Sequence, residues 1–179
     1  MTEIKQQLFD KRLIVIDASE INFSTFDYVR EVIGKLSLLD EAPELTIEIT
    51  CNGGSANHAF WIYDLIRLYK GKTIGRVVGF AKSMAAIILQ ACDHRQITAH
   101  SFLLVHNITN GQPITVKDMR NKKKLSSIIK RVSALDQKKV DILSARTGLS
   151  PKLIVKLLAE DRDMDASEAK RLNFIDEII

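Results

Sequence analysis

Short runs of β-branched and aliphatic residues alternate with helix-period segments through the first 105 residues, and few folds accommodate that rhythm. Residues 12–17 (RLIVID) read as a short buried strand, ended by Asp17-Ala18-Ser19. Residues 45–50 (LTIEIT) alternate strictly, as a strand with one buried face does, and run into Cys51-Asn52-Gly53-Gly54-Ser55. Residues 73–80 (TIGRVVGF) form a third strand that leads through Ala81-Lys82 into an apolar helix over 83–92. Residues 96–99 and 102–105 are two further short strands. Between them, Phe26, Val29, Val32, Ile33, Leu36 and Leu39 recur at helical spacing after Ser24 as N-cap, with Pro43 beyond the end, and a second helix covers 56–69. This order predicts an α/β fold of βαβ units with right-handed crossovers and a mostly parallel sheet. Sites in such folds form in the loops after the strands.

The second half changes character. A polar loop over 107–113 precedes a long helix, for which Thr115 followed by Asp118 predicts a capping box. Val116, Met119, Ile128, Ile129, Val132, Leu135, Ile142 and Leu143 supply one apolar stripe. Gly148 suits a C-terminal cap, Ser150-Pro151 restarts a shorter helix, Asp165 with Glu168 caps another, and residues 174–179 close as a strand. Length sets the scale: 179 residues make one domain, which buries roughly 70% of the surface of its unfolded chain and needs no metal or disulfide framework.

Charge and cysteine content exclude several classes. Residues 115–146 hold ten Lys and Arg against three Asp, a local +7 in a chain whose total is +4, so the remainder is −3. One segment is basic, which argues against a nucleic-acid binder. Cys51 and Cys92 have no paired spacing, and no H-x₃-H or H-E-x-x-H motif marks a zinc site. The expectation is a chain without a metal or organic cofactor in a reducing compartment. Residues 1–12 contain no signal-peptide core, and the apolar run 84–89 is far short of a bilayer, so a cytoplasmic protein is expected.

Ser83 stands where a strand gives way to a helix, among unpaired N–H groups and the positive end of the helix dipole. A lone serine at such a junction is more often only an N-cap. Gly53-Gly54 closes the neighbouring strand and could hold backbone N–H groups open towards a carbonyl oxygen; adjacent parallel strands bring the two loops together. His106 follows the strand over 102–105 at the same sheet edge, a better position than those of His58, His94 or His100. Lys82 adjoins Ser83, but neighbouring side chains diverge at a turn, which disfavours a Ser–Lys dyad. For a carboxylate, Glu160, Asp161, Asp163 and Asp165 are all available, and spacing alone does not choose among them.

Taken in order, these segments resemble the Clp protease proteolytic subunit, a serine peptidase of the Clp/crotonase fold. Residues 49–55 (ITCNGGS) are similar to its glycine-rich oxyanion loop, 79–86 (GFAKSMAA) to its nucleophile segment, 104–107 (LVHN) to its histidine segment and 161–169 (DRDMDASEA) to its aspartate segment. Asn52 stands where the family has proline, and Ala85 where it has glycine. The resemblance implies a triad of Ser83, His106 and Asp161, an oxyanion hole from the N–H groups of Gly54 and Met84, and substrate binding at Gly53. It implies a single domain over 1–179, with a head at about 1–110 and 150–179 and a protruding handle helix at about 115–146. Homo-oligomeric stacked rings, heptameric in the family, with peptide or unfolded protein as substrate, also follow from it. Only a few residues precede Gln7-Leu8-Phe9, fewer than family members use to engage an AAA+ unfoldase, so that partner is the less firmly implied. The alternatives are a CoA-binding or a catalytically silent member of the same fold, because fold does not fix function.

Overall fold

The computed structural model describes residues 3–17, 20–109, 111 and 113–179. Ala18 and Ser19, expected in the break after the first strand, and Asn110 and Gln112 of the polar loop lie outside the described residues. The elements run α1 (Glu3–Asp10), β1 (Leu13–Ile16), α2 (Phe23–Leu36), β2 (Leu45–Cys51), α3 (Ala56–Leu68), β3 (Thr73–Lys82), α4 (Met84–Leu89), β4 (His94–Ile97) and β5 (Phe102–Leu104). There follow α5 (Val116–Arg120), α6 (Lys122–Thr147), α7 (Pro151–Glu160), β6 (Asp163–Asp165), α8 (Ala166–Arg171) and β7 (Glu177–Ile178).

The sheet has the order β1-β2-β3-β4-β7, with β5 on the far part of β3 and β6 on β5. All pairings are parallel except β5 with β6. The alternation in LTIEIT appears as Leu45, Ile47 and Ile49 fully buried, with the residues between them half-buried. Strand β3 changes partner along its length: residues 74–77 lie beside β4 and residues 80–82 beside β5. The bend falls at Gly79, whose φ of +86° suits glycine and whose N–H donates to Ser101 Oγ at 2.7 Å. This switch carries the end of β3, and the residue after it, away from β4 and towards β5. Helix α4 is buried on every side, as a helix without a polar face must be.

Several expectations need correction. The N-cap of α2 is Asn22, not Ser24: its side chain accepts the Thr25 N–H at 3.2 Å while Thr25 Oγ1 accepts the Asn22 N–H. Helix α1 was not expected, nor was β6. The fourth strand begins two residues earlier than its apolar pattern indicated. The Thr115–Asp118 capping box forms, yet it caps only the five residues of α5; Asn121 then breaks the path and caps α6 anew through the Lys124 N–H. The proposed apolar stripe packs only near its end. Val116, Met119 and Ile129 are exposed, and burial of α6 begins at Lys139 and Val140, so the first half of the helix projects from the head.

Candidate active site

Ser83 joins β3 to α4 with φ +53° and ψ −120°, a region that a side-chain-bearing residue enters only under strain of about 1–3 kcal/mol. Its N–H is fixed by the Leu104 carbonyl of β5 at 2.8 Å. Strain and tether together turn the hydroxyl out of the sheet edge. His106, two residues past β5, meets it: Nε2 lies 2.7 Å from Ser83 Oγ. The register of β3 against β5 produces this meeting, since Lys82 is level with Leu104 and the two following segments leave the sheet together.

Gly53 and Gly54 form the facing wall. Their φ values are +99° and +140°, and a Cβ on Gly53 would stand 2.7 Å from Ser83 Cβ and 2.8 Å from the Lys82 carbonyl. No side chain fits there. The Gly53 N–H donates to Cys51 Sγ at 3.4 Å and its carbonyl accepts from Ile21 N–H at 2.6 Å, so both its polar groups are engaged within the protein. Burial pushes the Cys51 thiol up from its ordinary value, against the hydrogen bond to Gly53. Around Gly54, Ile21 bonds to Gly53 O and Ser55 N, the groups on either side, which leaves the Gly54 N–H facing away from Ile21. The Met84 N–H is the first of α4 and has no carbonyl one turn back within the helix. Gly54, Ser83, Met84 and His106 line one cleft of about 470 Å³, whose far side includes Ile108 and Leu135.

The acidic segment sorts itself by contacts. Asp165 caps α8 through the Glu168 N–H at 2.7 Å, Glu160 pairs with Arg162 at 3.0 Å, and Asp163 lies in β6 opposite Leu104. Asp161 is the left-handed C-cap of α7, with its Oδ1 4.0 Å from His106 Nδ1. That is ion-pair reach, beyond a hydrogen bond, and the Asp161 side chain is 65% exposed. Arg162 bridges Glu160 and Glu168 and so braces the turn that carries Asp161.

The competing residues are accounted for elsewhere. His94 Nε2 sits 2.9 Å from Glu177, His58 stacks edge-on against Trp61, and His100 is exposed in a turn. The Lys82 ammonium lies over the stacked rings of Phe80 and Phe102, 5.3 and 4.9 Å from their centroids, and forms no dyad with Ser83. Sequence reasoning missed Lys139, which is 1% exposed on α6 and donates to the His106 carbonyl. In the sequence it is one more cation of a basic segment, with no signal for its burial.

A bent, mostly parallel sheet bearing a long projecting helix defines the Clp/crotonase-like class of α/β proteins. A solved structure of this class, a ClpP1 N165D mutant from Listeria monocytogenes, superposes with a TM-score of 0.81 at 23% identity, covering 98% of this chain and 95% of that one. The chain belongs to the Clp protease family, whose model matches residues 1–179. It is 26% identical over 178 residues to ATP-dependent Clp protease proteolytic subunit 1 of Chlamydia abortus, covering 98% of this chain and 90% of the relative. To proteolytic subunit 2 of Bacillus licheniformis it is 29% identical over 179 residues, covering 99% and 90%. Among the described residues no helix is long and apolar enough to cross a membrane.

Proposed function

We propose that this chain is a serine endopeptidase in which Ser83 is the nucleophile, His106 the general base and Asp161 the group that orients and stabilises the imidazolium. The observation that carries the reading is the 2.7 Å contact between Ser83 Oγ and His106 Nε2 at the start of α4. Ser83 Oγ attacks the peptide carbonyl carbon while His106 Nε2 takes its proton and then gives it to the leaving amine. The acyl ester is hydrolysed by water that His106 deprotonates, and the proton returns to Ser83. The N–H groups of Gly54 and Met84 receive the oxyanion, each worth about 2.7–4 kcal/mol in such sites. Gly53 serves the substrate site by having no Cβ, which lets its loop lie directly against Ser83 and Lys82. Asp161 has to move about 1 Å closer to His106 to hydrogen-bond; catalytic contacts often tighten in this way only on assembly or with substrate bound.

The family relationship supports peptide or unfolded protein as substrate, and homo-oligomeric stacked rings, with the projecting half of α6 as the handle and the rest as the head. A cytoplasmic location fits this role, and an AAA+ unfoldase is a further partner to test. A member that stabilises a CoA-ester enolate needs the paired N–H groups but not a serine hydrogen-bonded to a histidine. Hydrolysis of a fluorogenic peptide by the assembled protein tests the reading: Ser83→Ala and His106→Ala should each lower kcat by at least about 10³-fold. Turnover retained in Ser83→Ala would remove Ser83 from the chemistry.

A further inference from the structure

His106 and the three residues after it have no regular secondary structure, so neither a ladder nor a helix fixes the imidazole. Helix α6 supplies the restraint. Lys139 Nζ donates to the His106 carbonyl, and Asp136, one turn earlier, accepts the Ile108 N–H on Oδ1 at 2.7 Å. The two side chains face each other at 3.6 Å, so one ion pair grips the backbone on both sides of Asn107. Lys139 is buried, as are Val140 and Leu143, on the packed part of the helix, and burial pushes its ammonium down from its ordinary value, with Asp136 opposing. Replacing a whole buried ion pair by apolar residues is often neutral or stabilising, so stability alone gives no reason for a pair of charges there. Leu135 and Arg131, one and two turns before Lys139 on the same helical face, line the cleft itself.

We propose that Lys139 and Asp136 are positioning residues, an ion pair on the projecting helix that sets the His106 backbone so that Nε2 meets Ser83 Oγ. This rests on the serine-peptidase reading. It also makes the handle helix a structural part of the site, since the pair that holds the histidine and the wall of the cleft come from one face of α6.

The test measures fluorophosphonate labelling rate, kcat, KM and melting temperature for wild type, Lys139→Met and Asp136→Ala. Lys139→Met should label about ten- to a hundredfold more slowly, with kcat lowered in parallel, because an ångström of misplacement costs that much. KM should change less than about twofold, while the melting temperature should fall, because removing one partner leaves Asp136 an unpaired charge; the rates of the folded variant decide. A purely structural role would move the melting temperature and leave the rate of the folded enzyme unchanged. Should Lys139→Met not fold, Asp136→Ala decides on the same rates, its side chain being 26% exposed. Wild-type rates in the folded variants beside an active wild type overturn this proposal alone. A wild type that neither labels nor hydrolyses removes the peptidase reading and this proposal with it.

Discussion

At Ser83 the backbone conformation and the hydroxyl are in competition. A φ of +53° is where glycine rests most easily, yet a glycine there would have no nucleophile. Strain held at such a position is the usual signature of a functional turn. Ser83→Gly should therefore raise stability by about 1 kcal/mol, or about 2–4 °C in melting temperature for a chain this size, while abolishing peptide hydrolysis. A variant that melts lower than wild type would show that the serine is not strained. The residues of this site were legible to different degrees. Ser83, His106 and the glycine pair stand directly after strands, so topology alone placed them together. Asp161 was chosen only through resemblance, because its neighbours Glu160, Asp163 and Asp165 are equally acidic and their caps and pairings exist only in the fold. Lys139 was invisible, since burial of a lysine depends on what packs over it.

Elements followed sequence where the signal was periodic and local. The alternation in β2 is present as read, and the apolar run forms α4, although the helix spans only Met84–Leu89 of the expected 83–92. Where short polar residues cluster, the rules named the wrong member: Asn22, Ser24 and Thr25 are all able to cap, and exposed Phe23 opens the helix before its apolar spacing begins. Strand β6, with the sequence DMD, has no strand preference of its own and exists because β5 offers it an edge. The last strand is held in a similar way. Buried Arg95 donates to Asp176 at 2.9 and 2.6 Å, and to Gln90 and the Asn173 carbonyl, tying the segment before β7 to the core. Burial alone would raise the Asp176 carboxyl, but the Arg95 hydrogen bonds outweigh it and hold the group below its ordinary value. The unfolded chain titrates there near 3.9, so the fold favours the ionised form. That stability is fully present above about pH 4 and is lost as pH falls through the lower folded value. Urea midpoints measured from pH 6 to pH 3 should fall less steeply in Asp176→Asn, which should also cost about 1–3 kcal/mol at pH 7. An unchanged acid slope would place the acid sensitivity elsewhere.

The molecule as a whole is a head whose sheet edge carries the reacting groups and a long helix, α6, whose first half projects with Ile129 exposed, preceded by α5 with Val116 and Met119 exposed. Those apolar residues fitted the helical stripe in the sequence, but each is more than half exposed in a single copy of the chain. Assembly through α5 and the first half of α6 would cover them, and through Asp136 and Lys139 helix α6 reaches the histidine loop. The near-miss of Asp161 at 4.0 Å belongs to this scale as well, because an exposed carboxylate on a helix cap is free to close when its surroundings change. The central claim, that Ser83 is an activated nucleophile, is tested most directly by intact mass after fluorophosphonate treatment of wild type and Ser83→Ala. One adduct is expected on wild type and none on the variant. An assembled wild type with no adduct, or a variant that still carries one, would contradict it.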